Sequence, residues 1–448
     1  MKRFCSEEDY TLYLGDMAEV LDSLKPNSID AIVCDPPYEL GFMGKDWDNA
    51  GISYRKQTWE KCLRVLKPGG YLLAFGGSRT FHRIACAIED ANFEVRDTIM
   101  WLYSSGFPKS MNISKGIEAK EQYGKAGTRQ KRKIEQSSDG KEYTVKQTNN
   151  GAMGEIYEAT RKEYEPKSEL AKQWSGWGTC LKPAFEPIIV ARKPFNGSLV
   201  DNVIKYGVGG MNIDECRVGD EQRTQFSGRS QVKTTVYSEF PQDNAHYEEV
   251  CGRFPANVIH DGSEEVCAGF PDSGQGNGKK PYNYAGKEYN NKDTSMFNGD
   301  KPQAPSNYND SGSAARYFYC AKASKKDRDE GLDDFEGKKA GAMMANIADK
   351  MQLGAASLNG TPKEIQPKKN MHPTVKPTKL MQYLVRLVTP KGGTVLDPFM
   401  GSGSTGKAVM YENKERNANY KFIGVDVTEE YFPIAQARIE FVRKAKND

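Results

Sequence analysis

One stretch constrains the architecture of this chain more than any other: Thr394-Val395-Leu396-Asp397-Pro398-Phe399-Met400-Gly401-Ser402-Gly403-Ser404-Thr405-Gly406. A short apolar strand (394–396) runs into a glycine-rich turn and leaves as a helix (404–411), and a second apolar strand follows at 422–427. Two strands joined through a helix lie parallel, so the unit demands a sheet with helical cover. Glycines in the turn let backbone N–H groups approach a ligand without Cβ collisions, and a helix N-terminus favours negative groups. Asp426, at the end of the second strand, is placed to accept hydrogen bonds from a ribose diol.

Both ends of the chain continue this style. Near the start, 11–15, 29–34, 71–75 and 95–103 read as strands, with helices at 17–24, 58–66 and 79–91. Lys67-Pro68-Gly69-Gly70 reads as a helix stop. Residues 187–192 form a further strand, 379–388 a helix, and 429–445 a closing helix. The alternation predicts a mainly parallel α/β sheet covered on both faces.

The middle differs. Residues 111–176 are rich in Lys, Glu, Gln, Gly and Ser, and 274–314 in Gly, Asn, Ser, Asp and Tyr. With so few apolar side chains to offset ordering, both are expected as loops or mobile insertions. Patches at 254–260 and 316–321 could nucleate a small separate domain. A mean hydropathy of -0.71 fits a compact core bearing polar insertions. Lys and Arg total 63 against 60 Asp and Glu, so the net charge of +3 announces no nucleic-acid binder by itself. The nine cysteines form no C-x-x-C pair and the four histidines are dispersed, so no zinc-ligand spacing is present. No signal peptide and no apolar run near the ~18 residues of a membrane helix are evident. The expectation is a cytoplasmic protein with no metal and no membrane partner.

Gly401, Gly403 and Gly406 match G-x-G-x-x-G, and Asp426 follows 20 residues later, as a dinucleotide fingerprint asks. Only 22 residues remain after Asp426, too few for the further strands of an NAD domain. A nucleoside cofactor fits better, although the loop alone also fits a plain tight turn.

The second signal is Asp35-Pro36-Pro37-Tyr38, directly after the apolar strand 29–34. Ligands in α/β sheets sit at the carboxyl ends of strands. Asp-Pro alone is an ordinary turn, but Pro-Pro-Tyr at the end of a buried strand gives an aromatic ring that needs something to pack on. The tetrapeptide suits methylation of an aromatic amine. Such a nitrogen is a poor nucleophile because its lone pair is delocalised into the ring. The Asp35 carboxylate and a backbone carbonyl held by the prolines can bind its two N–H groups and draw it towards tetrahedral geometry. The Tyr38 ring can stack on the base.

Together the two elements resemble the DNA amino-methyltransferases that modify N6 of adenine or N4 of cytosine. Asp35-Pro36-Pro37-Tyr38 is similar to their catalytic box, and Phe399-Met400-Gly401-Ser402-Gly403 to their F-x-G-x-G cofactor loop. The order, catalytic box first, is that of the permuted class called β. Gly15-Asp16, Leu66-Lys67-Pro68-Gly69-Gly70 and His372-Pro373-Thr374-Val375-Lys376-Pro377 are further matches. The resemblance implies a Rossmann-like, circularly permuted S-adenosylmethionine-dependent methyltransferase sheet with an inserted target-recognition region. It implies a catalytic half at 1–110, a polar insertion at 111–177, and a returning edge strand at 178–195. A partly disordered target-recognition region at 196–369 and a cofactor-binding half at 370–448 complete the chain.

Carried over residue by residue, the resemblance implies Asp35, Pro36, Pro37 and Tyr38 at the target amine and ring. It implies Phe399, Gly401 and Gly403 around S-adenosyl-L-methionine, Asp426 at its ribose, and Asp397 shaping the loop or facing the methionine end. Asp16, His372, Thr374 and Lys376 are further cofactor contacts. The strands at 95–103 and 187–192 would be hairpin partners at one sheet edge, yet 83 residues separate them, far beyond a hairpin loop. Asp at the head of the box leans towards N6 of adenine; N4 of cytosine is the alternative, and an NAD oxidoreductase or a catalytically idle DNA-binding module are more distant ones. Double-stranded DNA is the expected partner, with base flipping. A second copy of the chain and a cognate restriction endonuclease are options the sequence leaves open. Phosphate contacts are sought in the basic runs 125–133 and 322–328, each of which also reads as a solvated face. Trp101, Phe107, Trp174 and Trp177 are aromatics for an extruded base or, for most of them, for the core.

Overall fold

The computed structural model describes residues 2–40, 51–106, 110–148, 156–229, 245–273, 312–321, 325–336 and 369–445. They form two compact units, one of residues 1–100, 105–212 and 323–448, the other of 101–104 and 213–322.

The first unit is built on a sheet of β1 (Lys2–Ser6), β2 (Tyr10–Leu14), β3 (Ile29–Cys34), β4 (Leu66–Phe75), β5 (Glu94–Leu102), β6 (Phe185–Arg192), β7 (Thr394–Asp397) and β8 (Lys421–Asp426). Its order is β1-β2-β8-β7-β3-β4-β6-β5. The run β2, β8, β7, β3, β4 is parallel throughout; β1 and β6 pair antiparallel to β2 and β4. All six residues of β3 are buried, as an interior parallel strand with both faces covered requires. The sheet is therefore the α/β type expected. One difference concerns Lys67-Pro68-Gly69-Gly70: it ends the preceding helix as expected but already belongs to β4, where Ile29 pairs with Leu66.

Helices α1 (Met17–Ser23), α2 (Lys56–Val65) and α3 (Phe81–Asp90) pack in sequence along one face. Their cluster joins Val20, Leu21, Trp59, Cys62 and Ile84 to Ile32, Leu72, Ala74 and Leu396 of the strands. Alternate residues of the same strands turn to the other face, where α4 (Thr378–Val388) packs on β3 and β4, followed by α5 (Ser404–Arg416) and α6 (Phe432–Lys444). Burial of each large apolar side chain in these layers stabilises by roughly 1.5–3 kcal/mol.

The insertion between β5 and β6 corrects the expectation of a loop. It holds helices Ile113–Tyr123, Thr128–Gln136 and Glu169–Gln173, and a hairpin of Glu142–Thr148 with Ile156–Lys162. Polar side chains do much of the work of an apolar core. Ser114 Oγ lies 2.8 Å from the Tyr164 hydroxyl and donates to the Ala171 carbonyl at 2.7 Å. Glu118 is buried and caps the Ser168 N–H at 3.2 Å; Ser138 Oγ donates to the Glu163 carbonyl at 2.7 Å. Such bonds satisfy buried groups without producing an apolar period in the sequence.

In the second unit, Val258–His260 and Tyr319–Cys320 pair in parallel, which unites the two patches singled out in the sequence. Strands Val218–Arg229 and Ala245–Arg253 form its long hairpin. Residues 274–311, most of the Gly/Asn-rich stretch, lie outside the described residues. Among the described residues, no helix is long and apolar enough to cross a membrane.

Candidate active site

Strand register assembles the site. β7 lies beside β3 with Val395 opposite Ala31 and Leu396 opposite Ile32, so the turns that leave these strands emerge at the same edge of the sheet. Those turns carry Asp35 and Asp397. On the far side of β7, Asp426 of β8 pairs with Leu14 of β2, which delivers Gly15 and Asp16 to the same edge. The Gly15 N–H donates to the Asp426 carbonyl at 2.9 Å. Residues remote in sequence thus surround one cavity of about 260 Å³.

Asp35 stands at one end of the cavity. Its Oδ2 accepts from Lys376 Nζ at 2.6 Å, whereas Oδ1 is buried with no hydrogen-bond partner among the described residues. Lys376 is itself 7% exposed and reaches a second carboxylate, Glu186 Oε2, at 3.3 Å. Burial alone would discharge this ammonium, but the charges of Asp35 and Glu186 overcome it and raise its pKa. The Tyr38 hydroxyl donates to the same Glu186 oxygen at 2.9 Å. Burial, then the Asp35 and Glu186 charges, push the phenol pKa up, so Tyr38 stays a donor. The box is buttressed from behind: Ser53 Oγ donates to the Pro37 carbonyl at 2.6 Å, Tyr54 to the Tyr38 carbonyl at 3.2 Å, and Glu39 accepts the Gly51 N–H at 2.7 Å. The Pro37 carbonyl is therefore taken by Ser53.

The glycine turn also lines the cavity. Asp426 holds it by accepting the Gly401 N–H on Oδ2 and the Thr428 N–H on Oδ1, both at 2.8 Å. Gly401 has φ +53°, and a Cβ there would stand 2.7 Å from His372 Nε2. Asp397 is 2% exposed; it accepts from the Phe399 N–H at 3.0 Å and the Thr405 hydroxyl at 2.5 Å. Burial outweighs these bonds and pushes its carboxyl pKa up to about 7. Burial pulls His372 down to about 4, so its imidazole is neutral. Nδ1 faces the Thr374 carbonyl at 2.7 Å and must donate there, which leaves Nε2 as the acceptor. The ring packs edge-on against Tyr431 with centroids 4.6 Å apart. Asp16 caps α1 by accepting the Ala18 N–H at 2.7 Å.

Asp35, Pro37, Asp16, His372, Thr374, Lys376, Asp397, Phe399, Gly401 and Asp426 all line the cavity. Pro36, Tyr38 and Gly403 stand outside its lining. Gly403 has φ +75° and its missing Cβ would meet Ala435 at 2.9 Å, so it lets α5 start close against α6.

A profile of the DNA methylase family matches residues 29–437. The chain belongs to this N6/N4 DNA methylase family. Type II methyltransferase M.HpaI of Haemophilus parainfluenzae is 32% identical over 115 residues, 24% of this chain and 36% of its own length. M2.DpnII of Streptococcus pneumoniae is 32% identical over 98 residues, 22% of this chain and 34% of its own. The aligned part thus spans about a third of either relative. M.HindIII of Haemophilus influenzae is 22% identical over 272 residues, 51% of this chain and 73% of its own. Among solved structures, PvuII DNA methyltransferase (cytosine-N4-specific) covers 97% of this chain and 87% of its own at 14% identity and a TM-score of 0.40.

Sequence reasoning missed several residues of this site. Glu186 is the second residue of β6, 148 residues from Tyr38, and no spacing links them; only the pairing of β6 with β4 does. Glu39, Ser53 and Tyr431 carried no signal either. The basic run 322–328 is corrected where it is described. Arg328 donates to the carbonyls of Asn370 and His372, and Asp327 accepts from Lys407 at 2.7 Å and Thr378 at 2.5 Å. Asp327 and Arg328 are thus tied inward, whereas Lys326 is exposed; residues 322–324 lie outside the described residues. Lys125, Arg129 and Lys133 of the other run are exposed. Trp101 is buried, whereas Trp174 and Trp177 form an exposed edge-to-face pair, against their reading as core aromatics. Phe107 lies outside the described residues.

Proposed function

We propose that this chain transfers a methyl group from S-adenosylmethionine to the exocyclic amine of a base extruded from duplex DNA, with N6 of adenine as the target. The observation that carries the reading is Asp35 Oδ1, a buried acceptor with no partner among the described residues, in the cavity that Gly401 and Asp426 also line. An unsatisfied buried acceptor costs roughly 1–3 kcal/mol, which a donor N–H from a bound molecule recovers. An amino group at the edge of a planar ring can fill such a place and gains from what Asp35 offers. Accepting one N–H, the carboxylate pulls the nitrogen towards tetrahedral geometry and frees its lone pair. As the nitrogen becomes cationic, Asp35 stabilises the charge and can hold the proton it sheds. Tyr38, its hydroxyl tied to Glu186, offers its ring to the base.

The lining around the glycine turn suits the cofactor. Each oxygen of Asp426 accepts one backbone N–H and keeps a second acceptor site, as a ribose diol needs. Phe399, Met400 and Tyr431 give apolar surface for an adenine ring. Bound there, S-adenosylmethionine supplies a methyl carbon on a sulfonium, an electrophile that carries its own leaving group. Asp rather than Ser at the head of the box supports adenine. Extrusion of the base costs a few kcal/mol, repaid by pocket contacts.

The test is methylation of DNA by the purified protein with isotope-labelled cofactor, followed by mass spectrometry of the nucleosides. N6-methyladenine is expected; N4-methylcytosine alone overturns the base assignment, and no labelled base overturns the reaction. Asp35→Ala should abolish transfer while S-adenosylhomocysteine still binds by calorimetry, and retained turnover removes Asp35 from its role. Binding of NADH in place of S-adenosylhomocysteine would favour an oxidoreductase.

A further inference from the structure

Lys376 poses a problem for the reading just given. A buried ammonium facing a single carboxylate can bridge its two oxygens, and a substrate N–H would then share Oδ1 of Asp35 with the cation. Here the ammonium sits 2.6 Å from Oδ2 and leaves Oδ1 unpartnered. A second carboxylate competes for it: Glu186 Oε2 lies 3.3 Å from Lys376 Nζ. The same Oε2 takes the Tyr38 hydroxyl at 2.9 Å. One oxygen of Glu186 therefore governs both the ring of the box and the cation beside its carboxylate. Asp35, Glu186 and Lys376 together carry one net negative charge, and that charge favours a nitrogen that turns cationic as it is methylated.

We infer that Glu186 is a positioning residue for the target amine: it holds Lys376 and Tyr38 so that Oδ1 of Asp35 stays open. The inference rests on the methyl-transfer reading. Without the Glu186 charge, Lys376 closes on both oxygens of Asp35, and the trio becomes neutral. The incoming amine then competes with Lys376 for Oδ1. Misplacement on this scale lowers turnover on the order of 10²-fold.

The experiment compares full-length Glu186→Gln, Glu186→Asp and Tyr38→Phe with the wild type in steady-state DNA methylation. Glu186→Gln should lower kcat on the order of 10²-fold, with the KM for DNA, the S-adenosylhomocysteine affinity and the melting temperature little changed. Glu186→Asp restores the charge and should recover part of the loss, which also decides the matter if the glutamine variant folds poorly. Tyr38→Phe keeps the ring and removes only the hydroxyl. Because that hydroxyl acts through Glu186, adding Tyr38→Phe to Glu186→Gln should cost no more than about twofold further. A Glu186→Gln kcat equal to the wild type, or losses that multiply in the double variant, overturns the inference while wild-type methylation stands. A wild type that transfers no methyl group overturns the methyl-transfer reading, and this inference with it.

Discussion

Two titratable groups on the walls of one cavity should pull the stability of the protein in opposite directions with pH. The Asp397 carboxyl is raised from 3.8 to about 7 by burial. Its protonated form suits the fold, so its contribution is fully present below about 3.8 and is lost as pH rises through about 7. His372 is lowered from 6.5 to about 4, again by burial. Its neutral form suits the fold, so its contribution is present above about 6.5 and is lost as pH falls through about 4. Between pH ~5 and pH ~7, linkage gives a loss of about 2 kcal/mol from Asp397 and a gain of about 2 kcal/mol from His372. The two nearly cancel in the wild type. Single variants should unmask them. Asp397→Asn should gain about 2 kcal/mol relative to the wild type on going from pH ~5 to pH ~7, and His372→Asn should lose a similar amount. Urea unfolding of the three cofactor-free proteins at both pH values reads these differences directly. Curves for both variants that run parallel to the wild type across this range would show that burial does not control the two groups, and the account of the cavity's electrostatics would fall.

The two glycines of the turn should separate function from folding. Gly401→Ala places a Cβ against the His372 ring at φ +53° and should weaken S-adenosylhomocysteine binding on the order of tenfold, measured by calorimetry. Gly403→Ala meets the backbone of Ala435 at φ +75° and should lower unfolding stability by about 2 kcal/mol in denaturant titration, whatever it does to the ligand. Lys407 is fully buried between Asp327 and Glu330, at 2.7 and 2.8 Å. Lys407→Met removes the cation nearest to both carboxylates, leaving Arg438 at 4.0 Å from Asp327, and should cost about 3–5 kcal/mol of stability; a melting temperature equal to the wild type's would refute that.

Much of the sheet was legible because parallel interior strands announce themselves as unbroken apolar runs. Ile29–Cys34 is one, and its Asp-Pro-Pro-Tyr stop marked the edge where a ligand sits. The glycine turn was legible for a related reason: positive φ at Gly401 and Gly403 excludes most other residues, so the backbone writes itself into the sequence. Spacing alone overreached there. Gly401 faces the cavity and Gly403 faces a helix, and the G-x-G pattern cannot tell those two uses apart. The polar insertion was illegible because Ser114, Glu118 and Ser138 satisfy buried groups by hydrogen bonds rather than by apolar repetition.

The sequence by itself determined the strands, the two turns and the kinds of atoms they offer, since these follow from local periodicity and local backbone demands. Only the tertiary structure decided which groups meet. The seating of β7 beside β3 puts Asp35 and the glycine turn on one cavity, and the pairing of β6 with β4 brings Glu186 to Lys376 and Tyr38. Strand order follows from the packing of whole layers, which no single segment encodes. Charge balance then follows from strand order: the same Lys376 that reads as a cofactor contact in the sequence spends its ammonium on two carboxylates once the sheet has closed around it.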